Sequence, residues 1–294
     1  MLAGVELGGT KCVCLVGTGP DDIRSQLTLP TGSDPEATLA HLDGILGGWE
    51  TQYGPLEALG IASFGPVDLA PKSPRYGYIV ATTKPGWSDT DVLGRLTRNR
   101  RIRVGFNTDV NAAALAERRW GAARGLDDLA YITVGTGVGV GLIVGGRTIF
   151  GCNHTELGHL RPVRAAGDSW SGSCVFHRDC VEGLVSGPAI AARAGIPAAA
   201  VQADDPLWDF VSHALGQLLH AIVLTTAPRR ILIGGGVMET RPELLIRLRR
   251  ELQTSLNGYV GAVEVTADID RYVVAPGLGP QAGPLGALAL AAEV

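Results

Sequence analysis

Cysteine and histidine recur at metal-ligand spacing in one segment of the sequence. Cys174, His177 and Cys180 form a C-x2-H-x2-C pattern, and His159 lies fifteen residues before it. Thiolates and imidazoles are the ligands that Zn²⁺ prefers, and four of them complete a closed tetrahedral site. The alternative is a chance cluster of buried thiols and a surface histidine. The spacing predicts a structural zinc site.

A single carboxylate, Asp109, stands between a predicted strand at 103–106 and a predicted helix at 111–120. Rigid elements on both sides would hold such a side chain firmly. It could act as the base that a hydroxyl needs when it attacks a phosphoryl group. It could equally cap the helix by accepting from the free N–H groups of its first turn. The residues alone leave both roles open.

Three glycine-rich turns follow predicted strands, at 8–9, 135–141 and 234–236. Glycine lets backbone N–H groups approach a phosphate closely, although a lone turn of this kind is commonly just a tight hairpin. The sequence has no G-x-x-x-x-G-K-[ST] P-loop, and the stretch 135–141 leads into another strand instead of the helix that a dinucleotide fold requires. The three turns together favour an ATPase that grips phosphates with hairpin turns.

The elements around these residues alternate between short apolar strands and helices, which predicts an α/β fold. Asp34 followed by proline predicts a helix start, and Leu39, Leu42, Leu46 and Trp49 fall on one face of that helix. A strand–glycine–strand hairpin stands near the start of each half. The hairpins suggest two related lobes with a cleft between them.

Composition limits the classes of function. The chain has 294 residues, 46% of them apolar, and a net charge of -4 without a basic run, so nucleic acid is not an expected partner. No apolar stretch is expected to cross a membrane, and the N-terminus does not read as a signal peptide. We expect a cytoplasmic protein whose five cysteines are thiols or metal ligands, with Cys12 and Cys14 in the core.

Over nearly its whole length, the sequence resembles the ROK family (repressors, open reading frames, kinases) of the actin-like ATPase superfamily. The motifs that carry the resemblance are ELGGTK at 6–11, TDVNAAALAE at 108–117, TVGTGVG at 133–139, ELGH at 156–159 and LIGGG at 232–236. Glu6, Thr108, TTKPGW at 82–87 and CVEGL at 180–184 are similar to the bacterial fructokinase branch. His177 replaces the cysteine of many relatives, which again resembles that branch.

The resemblance implies a two-lobed actin-like ATPase (ribonuclease H-like) α/β fold with an interlobe cleft and a zinc-clipped loop. The N-terminal lobe would span 1–112, closed by a C-terminal helix at 283–294. The C-terminal lobe would span 113–282 and carry the zinc loop at 151–183. A homodimer is expected by the same resemblance.

The resemblance also implies roles for individual residues. Asp109 would be the catalytic base, and Glu6 would lie near Mg²⁺. The expected ATP contacts are Gly8, Gly9, Thr10, Lys11, Thr133, Gly135, Thr136, Gly137, Gly139, Gly234, Gly235, Gly236 and Val237. The expected sugar contacts are Gly65, Pro66, Thr108, Asp109, Glu156, His159 and Glu182. Lys11 could instead lie on a solvated strand.

These features predict phosphorylation of a hexose by Mg·ATP, with fructose converted to fructose 6-phosphate. Mannose, glucose and N-acetylmannosamine are alternative substrates. A repressor of the same family would carry a helix-turn-helix before the first phosphate turn, and we expect none because that turn begins at Glu6. A non-catalytic sugar-binding protein is the remaining alternative, and Asp109 argues against it.

Overall fold

The computed structural model describes residues 1–259 and 263–294, which form two compact units. Unit 1 comprises Met1–Arg124, Thr148–His154 and Pro280–Val294, and unit 2 comprises Gly125–Arg147 and Thr155–Gly279. The predicted lobes, by contrast, divide at 112/113. That position falls inside the helix Asp109–Arg119, which belongs wholly to unit 1.

Among the described residues of unit 1, one mixed sheet contains five strands in the order β3-β2-β1-β4-β7. The strands of unit 1 are β1 Leu2–Leu7, β2 Lys11–Gly19, β3 Asp22–Pro30, β4 Ala58–Ser63, β5 Tyr78–Ile79, β6 Thr90–Asp91 and β7 Arg103–Thr108. Strand β2 runs antiparallel to β1 and β3, whereas β1, β4 and β7 are parallel. Strands β5 and β6 form a separate short pair.

The helices of unit 1 are α1 Pro35–Tyr53, α2 Val92–Thr97, α3 Asp109–Arg119 and, from the C-terminal segment, α11 Ala282–Ala291. The Asp34 side chain accepts from the Ala37 N–H and caps α1, as the sequence predicts. The four apolar residues expected on one face of α1 are all buried. Cys12 and Cys14 are fully buried on β2, which confirms their assignment to the core.

Helix α11 lies directly on the backbone of three neighbouring strands. Gly4, Gly60 and Gly105 are in register on β1, β4 and β7. A Cβ atom on Gly60 would stand 1.7 Å from the Ala287 carbonyl oxygen, and one on Gly105 would stand 2.4 Å from another α11 carbonyl. The row of glycines therefore forms a groove in which the backbone of α11 packs, and a side chain at these positions would collide with it.

Unit 2 repeats the strand arrangement of unit 1. Its described strands are β8 Leu129–Val134, β9 Val138–Val144, β10 Arg147–Thr148, β11 Arg230–Gly234 and β12 Val273–Val274. Their order in the sheet is β10-β9-β8-β11-β12, with β8 and β9 antiparallel and β11 parallel to both β8 and β12. The expected hairpin at the start of each half is confirmed.

The helices described in unit 2 are α4 Val181–Val185, α5 Gly187–Ala194, α6 Leu207–Thr226, α7 Gly236–Thr240, α8 Leu244–Leu256, α9 Val263–Thr266 and α10 Ile269–Tyr272. Short 3₁₀ turns lie at Leu157–His159, Ala198–Ala200 and Gly279–Gln281.

One expectation about apolar segments is wrong. Helix α6 is long and apolar enough to span a membrane by length and composition, with a mean hydropathy of 1.3 over its best window. However, 61% of that window is buried inside the protein, as in the core helix of a globular domain. Helix α6 packs against α8 and α4, which accounts for its apolar composition.

Candidate active site and metal centre

The first glycine-rich turn, at 8–11, joins β1 to β2. The Gly8 N–H donates to the Lys11 carbonyl at 3.0 Å and closes the turn. Thr31 directly follows β3 and is fully buried. Its hydroxyl donates to the Gly8 carbonyl at 2.6 Å and so stabilises the turn. The N–H groups of Gly9 and Thr10 have no acceptor among the described residues. Consecutive free N–H groups of this kind suit an anion.

Several predicted site residues of unit 1 share one edge of its sheet. The carboxyl ends of parallel strands meet at the same edge, where the loops of α/β proteins commonly bind ligands. Glu6 pairs in register with Ala62 of β4, which pairs with Asn107 of β7. The Phe64 N–H donates to the Leu7 carbonyl at 2.8 Å, and Gly65 and Pro66 follow in a cis peptide. The edge thus assembles Glu6, Gly65, Pro66, Thr108 and Asp109.

Asp109 occupies the first position of α3 but does not cap it. The cap is Thr108, whose hydroxyl accepts from the Asn111 N–H at 3.2 Å. One Asp109 carboxylate oxygen accepts from the Val110 N–H at 2.8 Å. Burial raises the pKa of Asp109 to about 6, against the opposing effect of backbone hydrogen bonds. A base whose pKa lies near neutrality is well matched to accept a proton from a hydroxyl.

The Glu6 carboxylate lies against helix α11 and near Asp109. A Cβ atom on Gly283 would stand 2.0 Å from a Glu6 carboxylate oxygen, so the glycine leaves room for the glutamate. Burial raises the pKa of Glu6 to about 7, the charge of Asp109 adds to that effect, and Lys11 opposes it. A buried carboxylate whose charge is disfavoured by a second carboxylate nearby fits a divalent cation with oxygen ligands, such as Mg²⁺.

The second glycine-rich turn joins β8 to β9 in unit 2. The Gly135 N–H donates to the Gly137 carbonyl at 2.9 Å, and the Gly135 carbonyl accepts from the Gly187 N–H at 2.7 Å. The N–H groups of Thr136 and Gly137 have no acceptor in the part of the chain that the structure describes. This turn therefore offers two consecutive free N–H groups, as the first turn does.

The second turn is shorter than the sequence suggests. Strand β9 begins at Val138, so the turn contains only Gly135, Thr136 and Gly137. Thr133 and Gly139, expected in the phosphate loop, pair with each other in the β8–β9 ladder. The correction follows from the β-branched residues between the glycines, which continue the strand alternation of β9.

The third glycine-rich turn follows β11 and begins α7. Gly235 has a φ of 92°, and a Cβ atom there would stand 2.6 Å from the Val134 carbonyl oxygen and 2.7 Å from the Thr133 hydroxyl. Gly234 pairs in register with Thr133 of β8. The glycine at 235 is therefore required both for its backbone conformation and for its close approach to β8, and Gly236 and Val237 open α7 beside the second turn.

The four residues predicted to bind zinc come together. The ligand atoms of His159, Cys174, His177 and Cys180 all lie within 4.8 Å of one another. His159 Nδ1 is 3.7 Å from the Cys174 sulfur and 3.6 Å from the Cys180 sulfur, and His177 Nδ1 is 3.9 Å from the Cys174 sulfur. Ligands at standard Zn–S and Zn–N lengths in a tetrahedron stand about 3.5 Å apart, so the donor set fits Zn²⁺.

The two cysteines of the cluster are buried, and burial raises the pKa of Cys180 to about 12. A bound divalent cation is the partner that would favour its thiolate. His154, a neighbouring histidine, does not join the cluster, because its Nε2 accepts from the Val67 N–H at 3.1 Å in unit 1. Cys152 is exposed.

Glu156 and Glu182 occupy different settings within unit 2. Glu156 is exposed and precedes the 3₁₀ turn that ends at His159. Glu182 lies on α4, and one of its carboxylate oxygens accepts from the Val138 N–H at 3.1 Å. The sequence motif identifies both acids but gives no sign that one of them contacts the second turn.

Sequence reasoning missed Thr31. A threonine between a strand and a helix cap has no distinctive pattern, since polar residues are common there. Its buried position next to the ELGGTK turn is visible only when β3 pairs with β2. Lys11, left open by the sequence, is exposed at the start of β2.

Comparisons with known proteins identify the relatives of this chain. The model of the ROK family matches residues 2–294. A fructokinase of Pediococcus pentosaceus is 38% identical over 99% of this chain and 97% of its own. A fructokinase of Zymomonas mobilis is 38% identical over 98% of this chain and 95% of its own.

The structure of a ROK hexokinase from Thermus thermophilus superposes with a TM-score of 0.78 at 28% identity, covering 99% of this chain and 98% of the other. The expected α/β fold of the actin-like ATPases is thereby confirmed. The match of the family model over nearly every residue shows that the chain belongs to the ROK family.

Proposed function

We propose that this protein is an ATP-dependent hexose kinase that converts fructose to fructose 6-phosphate. The observation that carries the proposal is the likeness to two fructokinases, each 38% identical over nearly the full chain. The arrangement of Asp109 at the sheet edge of unit 1 supports the same reaction, because phosphoryl transfer to an alcohol needs a base near the hydroxyl.

Each short turn offers free N–H groups that suit a phosphate of ATP: those of Gly9 and Thr10 in unit 1, and those of Thr136 and Gly137 in unit 2. Donors fixed before the reaction stabilise charge that develops during transfer without reorganising. The turn at 234–237 contacts the adenosine. Glu6 holds Mg²⁺, which neutralises the phosphate charge.

The residues proposed for contacts to the hexose fall in both units. They are Gly65, Pro66, Thr108 and Asp109 in unit 1, and Glu156, His159 and Glu182 in unit 2. Buried groups shaped for one pattern of hydroxyls discriminate strongly against sugars that lack it. Asp109 accepts the proton of the attacking hydroxyl, and its raised pKa keeps the proton affinity close to what the step requires.

The cluster of His159, Cys174, His177 and Cys180 holds a structural zinc ion. The ion would link His159, in the first part of the irregular segment 151–183, to the three ligands in its last part. Four protein ligands complete the coordination and leave no open position for a substrate. Metal analysis should find one zinc per chain in the wild type and none in Cys174→Ser. A zinc-free wild type would contradict the assignment.

The test of the proposed function is ADP release with Mg·ATP and four sugars: fructose, mannose, glucose and N-acetylmannosamine. Turnover highest on fructose supports the proposal in full. Turnover highest on another hexose keeps the kinase and overturns the substrate. No turnover on any of them, in a folded and zinc-loaded protein, overturns the enzymatic role and favours a sugar-binding protein.

The proposed setting is the cytoplasm, without nucleic acid as a partner. None of the five cysteines forms a disulfide, and a reducing compartment keeps cysteines as thiols or metal ligands. The homodimer expected from the family resemblance stays a prediction, which light scattering of the purified protein would test.

A further inference from the structure

The second turn is held in shape by a side chain from a distant part of the chain. The Val138 N–H, the first of β9, donates to a Glu182 carboxylate oxygen at 3.1 Å, across 44 residues of sequence. The same oxygen would stand 2.6 Å from a Cβ atom on Gly137, so the carboxylate lies directly against the turn. A hydrogen bond to a charged acceptor is among the stronger polar contacts in proteins.

Glu182 is attached closely to the metal cluster. The Cys180 sulfur caps the helix α4 by accepting from the Gly183 N–H at 3.5 Å, and Glu182 lies in the first turn of that helix. A Cβ atom on Gly183 would stand 2.8 Å from the Cys174 backbone nitrogen. The direction of the Glu182 side chain therefore depends on where the two metal-ligating cysteines are held.

A second contact joins the metal cluster to Val138, the first residue of β9. Gly158, next to the ligand His159, lies so close to β9 that a Cβ atom would stand 1.8 Å from the Val138 carbonyl oxygen. The Val181 N–H donates to the Leu160 carbonyl at 2.9 Å and fastens the two metal-bearing segments together. Val138 is thus held on its N–H side by Glu182 and on its carbonyl side by Gly158.

We propose that Glu182 is a positioning residue for the nucleotide, and that the metal at the Cys/His cluster sets the affinity for ATP through it. The inference rests on the proposed function, in which Thr136 and Gly137 donate to the phosphates. The metal would hold the Cys180 sulfur, which caps the start of α4. Glu182 in the first turn of α4 then holds the N–H of Val138, the residue that follows the turn. A contact to sugar alone would leave nucleotide binding independent of both Glu182 and the metal.

The experiment measures the dissociation constant of Mg·ADP by calorimetry in the absence of sugar. Glu182→Met keeps the length of the side chain and removes both oxygens, so we expect the constant to rise about tenfold. Glu182→Gln retains an acceptor for the Val138 N–H and should recover most of that loss. Glu156→Met makes the same change at the other proposed sugar-binding acid and should leave the constant unchanged. Thermal melting confirms that each variant is folded.

Removal of the metal from the wild type tests the same coupling without any substitution. Chelation should raise the Mg·ADP constant by a similar factor, and added Zn²⁺ should restore it. If Glu182→Met and the metal-free protein both bind Mg·ADP like the untreated wild type, the inference is wrong while the proposed function stands. If the zinc-loaded wild type itself has no affinity for Mg·ADP, the proposed kinase activity is overturned and the inference with it.

Discussion

The glycine-rich turns at 8–11 and 135–137 differ in what supports them, although each offers two consecutive free N–H groups. The first turn accepts a hydrogen bond from the neutral hydroxyl of Thr31. Thr31 follows β3, which pairs with β2 in the same sheet. The second rests on the carboxylate of Glu182, from a segment that also carries the metal ligands. The first turn is therefore supported from within its own sheet, whereas the second is supported by the segment that carries the proposed metal ligands.

The difference separates two kinds of sensitivity, one in each unit. Changes to the metal should act through the second turn, and changes to the core of unit 1 should act through the first. Asp109, the proposed base, belongs to neither turn, because it stands on α3. Variants can therefore be chosen that affect chemistry, the first turn or the second turn separately.

The largest effect is expected from Asp109→Asn, which removes the base and leaves both turns intact. We expect kcat to fall by about 10²–10⁴, because general base catalysis contributes factors of that order. Steady-state kinetics with Mg·ATP and fructose measure it, with Mg·ADP binding as the control. Near-normal turnover would remove Asp109 from the catalytic role.

A substitution in the glycine groove under α11 should affect stability more than chemistry. Gly60→Ala places a methyl group 1.7 Å from a backbone carbonyl of α11, which cannot move without displacing the helix. We expect a loss of about 1–3 kcal/mol in the free energy of unfolding, as for other overpacked cores. Urea titration measures it, and Gly44→Ala, where an added methyl group meets nothing within 4 Å, is the control. Equal midpoints for the two variants would contradict the tight groove.

Lowering the pH should affect the base before it affects either turn. The pKa of Asp109 is raised to about 6, so the carboxylate is mostly ionised at pH 7 and mostly protonated at pH 5. A base must be deprotonated to act, so protonation of Asp109 alone should lower kcat/KM about tenfold between those two values. Glu6, whose pKa is raised to about 7, is protonated over the same range and adds to the fall. Asp109→Asn should lose the part of the fall that Asp109 causes and keep the part that Glu6 causes. A flat profile in the wild type down to pH 5 would show that another group is the base.

The smallest effect is expected from Thr31→Val, which removes the hydroxyl that supports the first turn. A buried hydrogen bond contributes about 1 kcal/mol, so the Mg·ADP constant should rise about fivefold. The comparison is sharpened by removing the metal from this variant. Its affinity should fall by the same further factor as the wild type, since the two supports act on different turns.

Local patterns in the sequence predict much of this site. The spacing of Cys174, His177 and Cys180 is sufficient to predict the metal cluster, because the chemistry of the ligands limits what such a pattern can do. The hairpins at 8–11 and 135–137 follow from glycine between strand-forming residues. The sequence leaves Asp109 open between base and cap, and the structure assigns the cap to Thr108.

Contacts between distant segments could not be predicted in this way. The bond from Val138 to Glu182, the support of Gly8 by Thr31 and the glycine groove under α11 all join residues far apart in sequence. None of them leaves a periodic or spaced pattern, because each depends on how whole elements pack. The start of β9 was also placed too late, because Gly139 within a strand resembles a turn residue.

The groove of Gly4, Gly60 and Gly105 constrains the order in which the protein can fold during synthesis. These strands leave the ribosome early, yet the helix that fills their groove, Ala282–Ala291, is synthesised after all of unit 2. Until α11 is synthesised, the face of the first sheet on which it packs is exposed and can make non-native contacts. Unit 2, whose sheet uses only its own residues and the short β10, can be completed first. A chaperone that protects the nascent chain would accordingly be needed for the N-terminal sheet, the part made first and finished last.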